Sequence, residues 1–176
     1  MGGRDVLSAG VLLLVMVVQV TVVNRLPLPG AGAPDLVLLT VVGYALVRGA
    51  AAGAVMGFCA GLASDVLPPA AHVLGQHALV LCLVGFMAGR VAESCPDAGQ
   101  LTTLACAVAG PLVAVGVGAL LGDDRISRSM LTATLPQAVL YNLLAAPPVV
   151  WAVTRAVRGP RVRTIQPAGY LARGRT

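Results

Sequence analysis

Residues 35–65 read DLVLLTVVGYALVRGAAAGAVMGFCAGLASD, and how this stretch divides decides the fold. It is apolar from Leu36 to Val47, is broken by Arg48-Gly49, and is apolar again from Ala50 to Ala63. One continuous helix from Leu36 to Ala63 would be about 42 Å long at 1.5 Å per residue, well beyond the roughly 30 Å of bilayer hydrocarbon. It would also hold Arg48 near the bilayer centre, at a cost of about 2.5–3.5 kcal/mol on insertion scales. Two short spans with Arg48 at the turn between them avoid both penalties.

Working outward, the rest of the chain repeats the pattern of apolar runs and short polar breaks. Hydrophobic residues make up 57% of the 176 residues and charged residues 11%. A soluble domain carries roughly a quarter charged residues, so most of this surface faces something other than water. Spans are expected at about 6–23, 35–47, 50–64, 72–91, 101–121 and 131–153, each near the length that crosses hydrocarbon or somewhat short of it. The first run, Val6–Val23, is longer than the core of a usual signal peptide, and Pro34 follows the Ala31-Gly32-Ala33 that imitates a cleavage site, so it reads as a retained span. Pro136 and Pro147-Pro148 predict a bend in the last span. The expected fold class is thus all-α: a polytopic membrane protein of six transmembrane helices (five being the alternative), with residues 1–154 as one transmembrane domain, residues 155–176 as a basic tail, and no soluble domain.

Charge orients the bundle. All twelve basic residues are arginine, and the net charge is +5. Six spans put both termini on one side, together with Arg4, Arg48, Arg90 and the tail arginines Arg155, Arg158, Arg161, Arg163, Arg173 and Arg175. Arg25, Arg125 and Arg128 fall on the other side. This asymmetry puts both termini in the cytoplasm. A basic tail after the last span is what orientation demands, and aromatic platforms for bases are absent, so nucleic acid is not an expected partner. Five spans would separate Arg4 from the tail and fit less well.

The candidate chemistry is sparse. Gly53, Gly57 and Gly61 recur every fourth residue, with Phe58 beside them, and leave a bare helix face that lets another backbone approach. Such a face serves internal packing, docking of a partner's span, or a ligand groove. Gly57→Leu is expected to disrupt folding or assembly by filling it. Asp65, at the membrane boundary before Pro68-Pro69, either caps the next element or carries an ion or proton; Arg48 is the other boundary charge. His72 and His77 follow Asp65 without metal-ligand spacing, so no metal and no cofactor are expected. Cys59, Cys82, Cys95 and Cys106 form no C-x-x-C pair and read as small apolar residues. Asp123-Asp124, the sole acidic pair, is neutralised by Arg125 and Arg128. Gln137, Tyr141 and Asn142 form a polar strip suited to interhelical hydrogen bonds, with Gln19 and Thr40 as candidates on facing spans. No nucleophile stands beside a plausible base, and no enzyme is expected.

The segment from Pro34 to Leu79 resembles a known family. Pro34-Asp35-Leu36 leads into Gly43-Tyr44-Ala45-Leu46 and Arg48-Gly49, then Gly57-Phe58-x-x-Gly61-Leu62-x-x-Asp65 and Leu74-Gly75-x-x-Ala78-Leu79. In order and spacing this is similar to the rod shape-determining MreD family, small bacterial inner-membrane proteins of five or six spans. The resemblance implies no catalytic residue. It implies instead a scaffold for the bitopic protein MreC and, through the side-wall synthesis complex, for MreB, RodA and a class B penicillin-binding protein. Gly53, Gly57, Gly61 and Asp65 are the residues it carries over. The alternative is a small transporter or the substrate-binding S component of a vitamin importer, similar in size and span number. Such components carry Ala-x-x-x-Ala in the first span, where this chain has only Ala9.

Overall fold

The computed structural model describes residues 3–21, 23, 32–66, 75–123 and 126–158, with side chains from Gly10 onward. They form six α-helices: α1 (Gly3–Thr21), α2 (Leu36–Arg48), α3 (Ala50–Val66), α4 (Gln76–Ser94), α5 (Gly99–Leu120) and α6 (Leu135–Arg158). A 3₁₀ turn, Pro96–Ala98, joins α4 to α5, and a π-helical turn, Met130–Thr134, leads into α6. No strand occurs among the described residues.

The division of the opening stretch is as expected. α2 ends at Arg48, α3 begins at Ala50, and Gly49 between them has φ +86°, the left-handed region that glycine enters without strain. The Gly49 N–H still donates to the Ala45 carbonyl, and its own carbonyl accepts from Gly53, so the chain reverses without orphaning those backbone groups. Arg48 lies exposed at the turn.

α2 is the centre of the molecule. Every residue from Val37 to Ala45 is buried, and α2 packs on all five other helices. Around it, α3 packs on α4, α4 on α5, α5 on α6 and α6 on α1. At 13 residues α2 is only about 20 Å long, short of the hydrocarbon thickness. The helices long and apolar enough to cross a bilayer unaided are α4, α5 with its preceding turn, and α6 with its π turn; α2 and α3 are shorter apolar helices. The outer surface is apolar, with Leu14, Val55, Phe58, Met87, Leu120 and Leu144 all at least half exposed. A soluble monomer does not carry so much exposed apolar surface, whereas lipid tolerates it.

Several boundaries differ from those expected. α4 runs on past Arg90 and Glu93 to Ser94, and it begins at Gln76; the expected start at His72 lies outside the described residues. α6 extends through Arg155 to Arg158, so the tail begins later than residue 155. Basic side chains in a last helical turn favour the negative end of the helix dipole and do not terminate it. Pro147 and Pro148 do not interrupt α6 either; the irregular turn is at Met130–Thr134, just before Pro136, which lacks the N–H that would continue regular bonding into that turn. Residues 24–31, 67–74, 124–125 and 159–176 lie outside the described residues, and with them Arg25, His72, Arg125 and the last four tail arginines.

A cross-capped helical hairpin as candidate functional site

Gly53, Gly57 and Gly61 all point at α4. Gly53 meets the Gly85 backbone, Gly57 that of Leu81 and Gly61 that of His77 and Ala78. α4 answers in kind, for Gly89 abuts Gly49 and Ala50, and a Cβ on Gly85 would press into Gly53. A Cβ on Gly53 would lie 2.5 Å from the Gly85 carbonyl oxygen, a distance that side chains do not adopt. The bare face is therefore an internal contact in which two helices touch backbone to backbone, the geometry that small residues four apart permit. Phe58, next to Gly57 in the helix, is half exposed.

Both ends of this hairpin are tied by carboxylates. Asp65, in the last turn of α3 and only 6% exposed, accepts from the Gly75 N–H at 2.8 Å and, more weakly, from the His77 and Ala78 N–H groups at 3.4 Å. These are the first donors of α4, which an α-helix cannot satisfy internally. Gly75 at the N-cap has φ +94° and no side chain to offer, so the cap comes from the preceding helix. His77 Nδ1 lies 3.3 Å from the same carboxylate. At the other end, Glu93 Oε1 in α4 accepts from the Ala50 N–H at 2.8 Å, at the start of α3. Its second oxygen faces Arg90 at 3.4 Å. Each helix thus supplies, from its C-terminal end, the anion that its partner's positive N-terminus requires.

A third carboxylate does the same for α2. Asp35 Oδ1 accepts from Leu38 N–H at 2.9 Å. Gln19 of α1 accepts from Leu36 N–H and donates to the Pro34 carbonyl, both at 2.9 Å. Asn142 of α6 accepts from Asp35 N–H at 2.7 Å. Side chains from two helices therefore close the N-terminus of the buried central helix, as backbone inside hydrocarbon must be closed by protein. Of the expected polar strip, Asn142 reaches this point and is buried, while Gln137 and Tyr141 stay half-buried. Thr40 turns back onto the Leu36 carbonyl.

Sequence reasoning named Gln19 and Asn142 as candidates for interhelical hydrogen bonds but not the backbone groups they close, and it passed over Glu93 and Asp35 as caps. Two signals were present. A one-residue turn leaves Ala50 in need of an acceptor, and Asp35 directly before an apolar run is an N-cap pattern. Chemically, Asp65 and His77 are brought together, but no third His, Cys, Asp or Glu joins them among the described residues. The arrangement holds helices; it does not assemble a nucleophile, a base and an acceptor.

Comparison with known proteins gives one match. The family model described as rod shape-determining protein MreD matches residues 5–154, a range that takes in α2 to α5 whole and most of α1 and α6. No curated protein and no solved structure matches the chain. With the cross-capped hairpin lying wholly inside the matched region, the chain belongs to the MreD family, whose role is in determining rod shape.

Proposed function

We propose that this chain is a non-enzymatic, multi-pass protein of the bacterial cytoplasmic membrane that scaffolds MreC and peptidoglycan synthases during cell elongation. MreB, RodA and a class B penicillin-binding protein are reached through that complex. The observation that carries the reading is the use made of the carboxylates. Asp35, Asp65 and Glu93 each accept from a helix N-terminus, so the acidic groups at the helix ends serve the architecture. What a rigid bundle with an apolar exterior offers is a surface for other spans to pack against. The orientation with both termini in the cytoplasm is supported by the arginines. Arg48, Arg90, Arg155 and Arg158 lie at or near the C-terminal ends of α2, α4 and α6, and these ends meet around one cleft.

The test is site-specific photo-crosslinking in native membranes from outward positions Val55, Phe58, Leu83 and Phe86, with adducts identified by mass spectrometry. Adducts to MreC or a wall synthase are the expected result. Adducts to lipid and to this chain alone, in cells that keep their rod shape, overturn the scaffold reading. A probe on the Gly53–Gly61 face reports α4 only, because α4 already fills that face.

A further inference from the structure

A cleft of about 780 Å³ opens where the end of α6 faces the start of α5. By position along the helices its deeper part is apolar, formed by Pro147, Val150 and Leu104, and its outer part is polar, formed by Gln100, Thr154 and Arg158. From Pro147 to Arg158 it follows α6 for about 16 Å at 1.5 Å per residue. Trp151 stands in the wall, 65% exposed, with the Arg155 guanidinium 5.8 Å from its ring centre. A site that is apolar at depth, then aromatic, then cationic follows the order of an acyl chain, a glycerol backbone and a phosphate.

We propose that this cleft binds one anionic phospholipid, with its phosphate at Arg158 and the upper part of an acyl chain along Pro147 to Trp151. The volume lies within the roughly 300–1,000 Å³ of small-molecule sites. Charge complementarity selects the headgroup. Arg155 and Arg158 lie at the polar end, and basic pockets between spans near the cytoplasmic surface take anionic lipids. Glu93, at the same end, is held by Ala50 N–H and Arg90. The inference rests on the reading of this end as cytoplasmic, and on no protein partner.

Trp151 is the only tryptophan in the chain, so its fluorescence reports this wall of the cleft and no other part of the chain. The purified protein is reconstituted into phosphatidylcholine bilayers containing brominated phosphatidylglycerol or brominated phosphatidylcholine, with the same composition in both leaflets. Brominated phosphatidylglycerol should quench Trp151 at a mole fraction about fivefold lower, the factor that one interfacial basic side chain supplies. Arg158→Ala should bring the two lipids to near equality, Arg158→Lys should keep the preference, and Arg128→Ala at the opposite end should leave it unchanged. Equal quenching by the two lipids in the unaltered protein overturns the proposal, as does a preference that survives Arg158→Ala. If Arg158→Ala does not fold, Gln100→Glu at the exposed rim is the second variant, and a preference it leaves intact overturns the proposal too. Because no wall-synthesis protein is present and both leaflets are alike, failure here leaves the scaffold and orientation readings to their own tests.

Discussion

Asp65 is a nearly buried carboxylate in an apolar bundle, which is costly unless its oxygens are used. Here they accept from the first N–H groups of α4 and lie beside His77, so the charge and the helix end satisfy one another. Glu93 does the same for α3 from the opposite end. Asp65→Ala and Glu93→Ala should each lower stability by about 1–2 kcal/mol, as the loss of an N-cap does, with Asp65→Asn milder because it keeps an acceptor. Thermal denaturation followed by size exclusion in mild detergent measures this. The two caps stand a helix length apart, about 25 Å for the 17 residues of α3, so the double variant should be additive within about 0.5 kcal/mol. Marked non-additivity would mean that the caps do not act locally. The position of Asp65 at a span end was legible in the sequence, with capping and ion handling both left open as its role. Glu93 was not, because its partner is a backbone N–H 43 residues earlier and carries no side-chain signature.

Among the elements, the α3–α4 pair is the tightest contact in the molecule, and glycine makes it so. Gly57→Leu should lower stability by about 3 kcal/mol or more, at or beyond the usual range for overpacking, because its side chain would meet the Leu81 backbone and not a yielding side chain. Gly116→Ala, with open space where the Cβ would go, should fold normally and gain slightly from the better helix former. The yield of monodisperse protein in detergent distinguishes the two, and equal yields would argue against backbone contact. The four-residue spacing told which face of α3 was bare but not what fills it. Gly85 and Gly89 show the same spacing more weakly, and nothing in a single sequence pairs two such faces. Helix ends were hidden for a different reason. Arg90 and Arg155 look like span ends, yet Arg90 lies about a turn before the end of α4 and Arg155 lies in the last turn of α6, and a guanidinium at either place is compatible with further helix.

At the scale of the whole molecule, the order of the spans was readable from apolar runs and from Arg48, whereas the central place of α2 was not. Its apolar residues continue all round the helix, which says that it is buried but not among which neighbours. With six crossings, a reporter fused after Thr176 should be active only in its cytoplasmic form, and one inserted after Asp123 only in its exported form. The reverse result at either position would break the six-span reading.

The exchange of caps also bears on biosynthesis. The 43 residues between Ala50 and Glu93 take about 2–9 s to translate at bacterial rates of about 5–20 residues per second. For that interval α3 stands without the anion that closes its N-terminus, whereas α4 finds its own cap, Asp65, already made. The third and fourth helices therefore reach their final form as one event, late, when the nascent chain has passed Glu93. A ribosome stalled before that codon leaves the third helix open at the end the fourth would have sealed.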